Sequence, residues 1–471
     1  MGAKMELYSE NKNYKLYKGN MLDMLEHIQP DSVDSIVTDP PYELNFMGKG
    51  WDNSGIAFQK ETWEKCYKVL KSGGYLLAFG GSRTYHRIAC AIEDAGFEIR
   101  DTIMWLYGSG FPKSMALDKS LEAKLTTGSG NKKDFYKCNG VLEESKGKGY
   151  TSMKQTNVEQ KFRDTNYQSK GQLQLEATTD LAKKYKGYGT ALKPSFEPII
   201  VARKPFKGSL VDNVIEYGVG GINIDECRVG NEEISYFPTN LEEAHGNKFG
   251  NGAYMPKDTT KPPITHTGRF PANTILTYDE TDFDEVCGGF PDTKGGKRHN
   301  KVIRLEDSTS YGGKAGSVNT RNEFNDSGSA SRYFYCAKAS KKDRDEGLDT
   351  FNKEKVNDGR QTPIDNAFQR GETLRKNTHP TVKPTELMQY LVRLVSPDNA
   401  TILDPFNGSG STGKAVMYEN RERNKNYKYI GIELTEEYLP IAKARIEYVC
   451  NLEPEKDNQL TIFDFIGDEN E

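Results

Sequence analysis

Asp39-Pro40-Pro41-Tyr42 puts a carboxylate, two stiff residues and a phenol in a row, directly after the strand-like stretch 33–38. One chemistry needs that combination. The exocyclic amine of adenine or cytosine is a poor nucleophile, because its lone pair is delocalised into the ring. Two acceptors on its hydrogens draw the nitrogen out of conjugation. Asp39 supplies a carboxylate, and Pro40 supplies a backbone carbonyl with no N–H of its own. Pro41 holds Pro40 out of the helical region. Tyr42 offers a flat ring on which a base extruded from a nucleic-acid stack can rest. Rigid placement matters because positioning supplies a large part of such a rate effect.

A second group of residues lies far along the chain. "TILDPFNGSGSTG" sets a short strand, the acid Asp404, Phe406, and then Gly408, Gly410 and Gly413 before a helix. Glycines allow tight turns and close approach of backbone to a ligand. The carboxyl ends of such strands are where α/β sheets bind ligands. A phosphate loop would need Ser or Thr after Lys414, and Ala415 stands there. "GSGSTG" does match G-x-G-x-x-G, a weak signal by itself. Glu433 follows about 20 residues past the turn, where an acid can take ribose hydroxyls; taken singly it also reads as a solvated strand end. Asp23 could accept from an adenine amino group, or could be a helix-start acid favoured by the helix dipole.

These residues need a frame. Residues 14–114 alternate strand and helix: "YKLYKGN" and "VDSIVTD" as strands, "AFQKETWEKCYKVLK" as a helix ended by Gly73-Gly74, "YLLAFGG" as a buried strand, "SRTYHRIACAIEDAG" as a helix, and "FEIRDTIMWLYG" as a long strand. The pattern resumes near 378 with "PTELMQYLVRLVS", "ATILD", "YKYIGIE" and "EEYLPIAKARIEYV". Neither flank alone holds enough strands for a stable open sheet. The pattern predicts one mostly parallel α/β sheet, interrupted by a foreign segment. Between about 115 and 370, Gly, Asn, Lys, Ser and Thr dominate, with short apolar patches such as "FEPIIVA", "FPANTILTY" and "SRYFYCAKA". A structureless loop of that length is implausible inside a compact domain, so the stretch reads as a domain or large insertion.

Bulk composition sets outer limits. The chain has 471 residues, a formal charge of −4 and 35% hydrophobic residues. No apolar run approaches the ~20 residues that span a bilayer. The first residues lack the apolar segment of a signal peptide. Seven scattered cysteines with no C-x-x-C pair point to reduced thiols and a cytoplasmic setting, and no metal-ligand spacing is present. Charge is uneven: residues 181–207 hold seven Lys or Arg against Glu197 alone, while the tail from Asn451 is acidic.

"TDPPY" together with "LDPFNGSGSTG" resembles the amino-group DNA methyltransferases, which use S-adenosylmethionine. "KGNMLDML", "HPTVKPTELMQYLV" (379–392) and "YIGIELTEEYLPIAKARI" are similar to further segments of that family. The catalytic motif comes first and the cofactor motif last, an order similar to the β class, in which a long insertion recognises the target sequence. The resemblance covers about 1–114 and 335–450. It implies a circularly permuted, Rossmann-like methyltransferase mixed sheet with a catalytic half at 1–114, a target-recognition insertion at 115–334, a cofactor-binding half at 335–450 and an acidic tail at 451–471. It also implies roles. Asp39, Pro40, Pro41 and Tyr42 would form the base site. Asp404, Phe406, Gly408 and Gly410 would cradle the methionine part of the cofactor and flank its adenine. Glu433 would take the ribose and Asp23 the adenine edge. Thr381 and Lys383 would approach the methionine carboxylate, although Lys383 alone could be a surface charge. The aspartate at the head of the motif leans towards adenine N6, with cytosine N4 as the alternative.

The implied partner is double-stranded DNA, gripped through basic and aromatic stretches at 181–207 and 331–344, by a monomer or homodimer. Trp105 reads as core more readily than as a base-stacking ring. The tail peptide "QLTIF", from Gln459 to Phe463, resembles the short segments that dock bacterial DNA-processing enzymes on the replication sliding clamp; a strand packing back on the core is the other reading. An NAD-binding oxidoreductase would use "GSGSTG" but leave Asp39-Pro-Pro-Tyr idle. A binding protein without activity, or a methyl acceptor in RNA or protein, remains a further alternative.

Overall fold

The computed structural model describes residues 6–44, 50–107, 114–128, 142–144, 151–153, 177–237, 261–278, 292–293, 328–329, 334–338, 341–355 and 374–452. Its centre is a ten-stranded mixed sheet among the described residues. In chain order the strands are β1 (Glu6–Glu10), β2 (Tyr14–Lys18), β3 (Val33–Thr38), β4 (Leu70–Phe79) and β5 (Glu98–Tyr107). They continue with β6 (Phe196–Arg203), β7 (Thr274–Tyr278), β8 (Tyr335–Lys338), β9 (Thr401–Asp404) and β10 (Lys428–Glu433). Across the sheet they run β1-β2-β10-β9-β3-β4-β6-β5-β7-β8. The run from β2 to β4 is parallel throughout. β6 is antiparallel to both of its neighbours, β4 and β5.

Helices cover both faces. On one side lie α1 (Lys60–Val69) and α2 (Tyr85–Asp94), which bury Trp63, Ile88 and Ile92 against Leu76, Ala78, Ile200 and Ala202. On the other lie α4 (Thr385–Val395), α5 (Ser411–Glu422) and α6 (Leu439–Cys450), packed on Leu77, Phe79, Ile199 and Val201. α3 (Leu210–Tyr217) follows β6. The alternation of neighbouring residues between the two cores is the period-two signature of strands buried on both faces. Burying one such aliphatic side chain contributes roughly 1.5–3 kcal/mol, so the central strands carry much of the fold.

Two features differ from the sequence expectations. Gly73 and Gly74 do not end α1; the helix stops at Val69, and both glycines lie inside β4. The pairing of β4 with β3 shifts between Val33 and Ser35. Gly73 takes φ +82°, and a Cβ on Gly74 would stand 2.9 Å from the Asp34 carbonyl oxygen. A bulge with close backbone approach needs the glycines, and no helix stop is involved.

The second difference concerns the middle of the chain. Part of the span 115–334 is built into the sheet. It supplies β6, wedged between β4 and β5, and β7, which pairs with β5. The patches "FEPIIVA" and "TILTY" are therefore core strands.

Candidate active site

Three acids end three adjacent parallel strands. Glu433 closes β10, Asp404 closes β9, and Asp39 follows the last residue of β3. The segments separated by most of the chain thus meet at the carboxyl ends of adjacent central strands. The junction is hydrogen-bonded: Thr38 Oγ1 donates to Asp404 Oδ1 at 2.7 Å, and Thr412 Oγ1 donates to Asp404 Oδ2 at 2.6 Å. Phe406 N adds a third donor at 3.1 Å. Burial raises the Asp404 carboxyl to about 6 even so, because three hydrogen bonds only partly replace water. Asp404 ties the glycine turn to the end of β3.

The turn itself depends on missing side chains. Gly408 has φ +52° and Gly410 φ +75°. A Cβ on Gly408 would stand 2.9 Å from His379 Nε2, and one on Gly410 would stand 3.0 Å from Ala442 Cα. Glu433 fastens the turn from the β10 side, accepting from Gly408 N at 2.6 Å and from Thr435 N at 2.7 Å. Burial lifts its carboxyl to about 7. Phe406 is half-buried at the turn, its ring tilted against Trp63. Lys414, the residue a phosphate loop would aim at its ligand, is fully buried and paired with Asp343 at 2.6 Å and Glu346 at 2.7 Å. That placement removes it from ligand binding.

Asp39 sits in a tighter setting than its motif suggests. Its Oδ2 accepts from Lys383 Nζ at 2.6 Å, while its Oδ1 is buried with no hydrogen-bond partner. Burial pushes the Asp39 carboxyl above the ordinary carboxylate value, against the pull of Lys383. Lys383 is held above the ordinary lysine value: burial opposes its charge, but Asp39 and Glu197 outweigh it. The ammonium is 4.9 Å from the Phe79 ring centroid, 5.3 Å from that of Tyr42 and 5.9 Å from that of Trp105. Lys383 is thus not a surface charge; it is buried against Asp39 and Glu197, beside the Asp39-Pro-Pro-Tyr motif.

Tyr42 is fixed at both ends. Its carbonyl accepts from Thr84 Oγ1 at 2.8 Å, and its hydroxyl donates to Glu197 Oε2 at 2.8 Å. The next residue, Glu43, takes φ +54°, a left-handed conformation that a non-glycine residue rarely holds unaided. Buried Asp52 stabilises it, accepting from Glu43 N at 2.9 Å and from Leu44 N at 3.2 Å. The exit of the motif is therefore pinned from outside it. Pro40 is buried and Pro41 half-buried.

Other expected residues fall further out. Asp23 is exposed in the short helix Met21–Met24; the chain before it reaches the site through β2, which pairs with β10 up to Lys18 beside Glu433, and through Gly19 N, which donates to the Glu433 carbonyl at 2.9 Å. Thr381 is exposed on the approach to α4. Trp105 is core, its Nε1 donating to Thr277 Oγ1 at 2.6 Å. Two residues escaped the sequence reading. Asp52 carried no signal beyond a lone acid. Glu197 was the one acid in a basic run, and that was the only clue to it.

The basic run 181–207 divides in two. Arg203 pairs with Glu98 at 2.6 Å, and buried Lys204 pairs with Asp31 at 2.7 Å, so both serve the fold. Lys183, Lys184, Lys186, Lys193 and Lys207 are exposed, beside Tyr188 and Leu192, which are 60% and 93% exposed. Within the second basic stretch, Arg344 donates to the His379 carbonyl at 2.6 Å.

A family model described as DNA methylase matches residues 33–444, most of the chain. The chain belongs to the DNA methylase family. S-adenosylmethionine is the methyl donor of that family. Among curated relatives, the DNA methylase chain is 25% identical over 239 residues to the type II methyltransferase M2.LlaDCHI of Lactococcus lactis subsp. cremoris, covering 46% of this chain and 81% of the relative. It is 28% identical over 123 residues to M2.MboI of Moraxella bovis, covering 22% and 45%, and 32% identical over 109 residues to M.HpaI of Haemophilus parainfluenzae, covering 21% and 34%. The chain thus spans less than half the length of the latter two. Solved structures similar to it include the PvuII DNA methyltransferase (cytosine-N4-specific), at TM-score 0.37 and 11% identity, covering 96% of this chain and 92% of that one. The complex of M1.HpyAVI with SAM matches at TM-score 0.33 and 13% identity, covering 92% and 99%.

Proposed function

We propose that this DNA methylase transfers a methyl group from S-adenosylmethionine to the exocyclic amine of a base flipped out of duplex DNA, with adenine N6 as the acceptor. The observation that carries the proposal is the meeting of Asp39 with the Asp404 glycine turn at the ends of neighbouring strands. The residues present fit the cofactor. Gly408 and Gly410 keep the turn bare where a Cβ would collide, Glu433 stands beside it as a buried acceptor, and Phe406 offers a ring. When bound there, S-adenosylmethionine supplies an electrophilic methyl group.

The protein's part is to prepare the amine. The Asp39 carboxylate accepts one amine hydrogen once the Lys383 ammonium, which rests on it at 2.6 Å, gives way. The Pro40 carbonyl accepts the other, and the Tyr42 ring, held by Glu197 and Thr84, supports the base. Both acceptors belong to the stiff motif, so the displacement of Lys383 is the main reorganisation left to base entry. The proton released after transfer goes to the Asp39 side of the pocket. The exposed lysines of 183–207 contact DNA phosphates next to this pocket, because the segment runs directly into β6 and Glu197. Adenine is favoured by the aspartate heading the motif; cytosine N4 is the second reading, since the same two acceptors suit both amines.

Incubating the protein with labelled S-adenosylmethionine and unmethylated DNA, followed by base analysis, tests both points at once. Label on N6-methyladenine is expected. Asp39→Ala should lower transfer on the order of 1000-fold while cofactor binding stays close to wild type; near-normal turnover would refute the assigned role. We further propose that the tail peptide from Gln459 to Phe463, which lies outside the described residues, docks on a replication sliding clamp. Deleting 455–471 should abolish clamp binding in a pull-down, and unchanged binding would end that idea.

A further inference from the structure

Glu197 belongs to β6, in the middle of the chain, yet its carboxylate faces the catalytic motif. It is 21% exposed and makes three polar contacts there. Oε2 accepts from the Tyr42 hydroxyl at 2.8 Å and lies 3.5 Å from Lys383 Nζ. Oε1 accepts from the Tyr107 hydroxyl at 3.4 Å. Two carboxylates, Asp39 and Glu197, thus share one ammonium, which rests on the first at 2.6 Å.

That seating creates a conflict with the reaction. An ammonium held 2.6 Å from Asp39 neutralises the charge that should attract the substrate amine, and it stands at the carboxylate the amine must use. An incoming base must weaken or replace this contact. The ammonium cannot leave for an apolar wall, because an unpaired buried charge is strongly unfavourable. It needs a second acceptor within reach. Glu197 is that acceptor: closing 3.5 Å to a charge-assisted contact of about 2.8 Å takes a shift of under about 1 Å. The aromatic rings of Phe79, Tyr42 and Trp105 around Nζ stay close along so short a path.

We propose that Glu197 is a positioning residue of the base pocket: it pins the Tyr42 ring through its hydroxyl and receives the Lys383 ammonium when a substrate amine takes that ammonium's place on Asp39. The inference rests on the methyltransferase reading given above. Lys383 then acts as a placeholder. It satisfies Asp39 while the pocket holds no base, and it hands that carboxylate over on base entry. Glu197 also links recognition to chemistry, since the basic segment that precedes it is continuous with β6.

The test compares wild type with E197Q, E197D, K383M and E197Q/K383M. Each is measured in single-turnover methylation of a duplex carrying the mapped target site, with thermal unfolding as a check on folding. E197Q should slow transfer on the order of 10- to 100-fold, through misplacement of Tyr42 and retention of Lys383 on Asp39. E197D should restore most of the rate. In the K383M background, with no ammonium to relocate, E197Q should add much less than it does alone. An equal loss in both backgrounds overturns the second-seat role. Where K383M is too slow to measure, binding decides. E197Q should lose the preference of the wild type for a duplex with an intact target base over an abasic one, and the double variant should regain it; a preference retained in E197Q overturns the proposal. Wild-type transfer with unchanged E197Q kinetics counts against this inference alone. No transfer by the wild type overturns the methyltransferase reading and this inference with it.

Discussion

At the scale of single residues, the site keeps acids where acids are costly. Glu433 holds its proton up to about 7, against 4.5 for an ordinary glutamate, because burial disfavours the charge more than two backbone donors favour it. The sign of its effect on stability follows. A carboxyl whose folded value is raised contributes stability that is fully present below about 4.5 and is lost as pH rises through about 7. The contribution is on the order of 3 kcal/mol at most. Ligand hydroxyls act the other way, since they donate to the ionised form. Cofactor affinity measured by calorimetry should therefore rise between pH 6 and pH 8, and Glu433→Gln should flatten that rise; an equal slope in the variant would remove Glu433 from ribose binding. The roles proposed for Asp39 and Tyr42 rest on residue types alone, because only a few chemistries want a carboxylate and a carbonyl on either side of a stiff bond. Glu197 and Asp52 were not legible. Their importance comes from where tertiary contacts bring them, and no spacing rule records a contact across 155 residues such as Tyr42 to Glu197.

At the scale of elements, the turn between β9 and α5 is tightly constrained backbone. Gly410 combines φ +75° with the backbone of α6 at the position of a Cβ. Gly410→Ala should cost roughly 1–3 kcal/mol, seen as a lower midpoint in thermal unfolding and as weaker cofactor binding in the same preparation. A variant with wild-type stability and affinity would show that the turn tolerates a side chain. The alternation of strands and helices in both flanks was readable, because buried parallel strands and amphipathic helices leave distinct periods. The register was not. The strands from β6 to β8 lie in a polar stretch of sequence and pair with partners distant along the chain, so nothing local marks "FEPIIVAR" as a central strand. Gly73 and Gly74 misled for a related reason: a bulge glycine and a helix-stop glycine look the same in one dimension.

At the scale of the whole molecule, charge and fold are decoupled. The chain is acidic overall, at −4, yet the segment leading into β6 exposes four lysines, Lys183, Lys184, Lys186 and Lys193. Local charge governs contact with a polyanion, so a near-neutral total is no obstacle. Replacing Lys183, Lys184 and Lys193 by Ala should weaken DNA binding across all sequences. If all three touch phosphates, the slope of log affinity against log salt should fall by up to about 2.7. An unchanged slope would place the DNA elsewhere. Among the described residues no helix is long and apolar enough to cross a membrane.

The wedged position of β6 limits how such a protein can diversify. A strand hydrogen-bonded on both sides cannot be traded for a foreign one without disturbing β4 and β5 together. Any cassette exchanged between relatives must therefore stop short of Phe196 or begin beyond Arg203. A graft that includes β6 would import a stranger's residue at position 197 and with it change what holds the Tyr42 hydroxyl and faces Lys383.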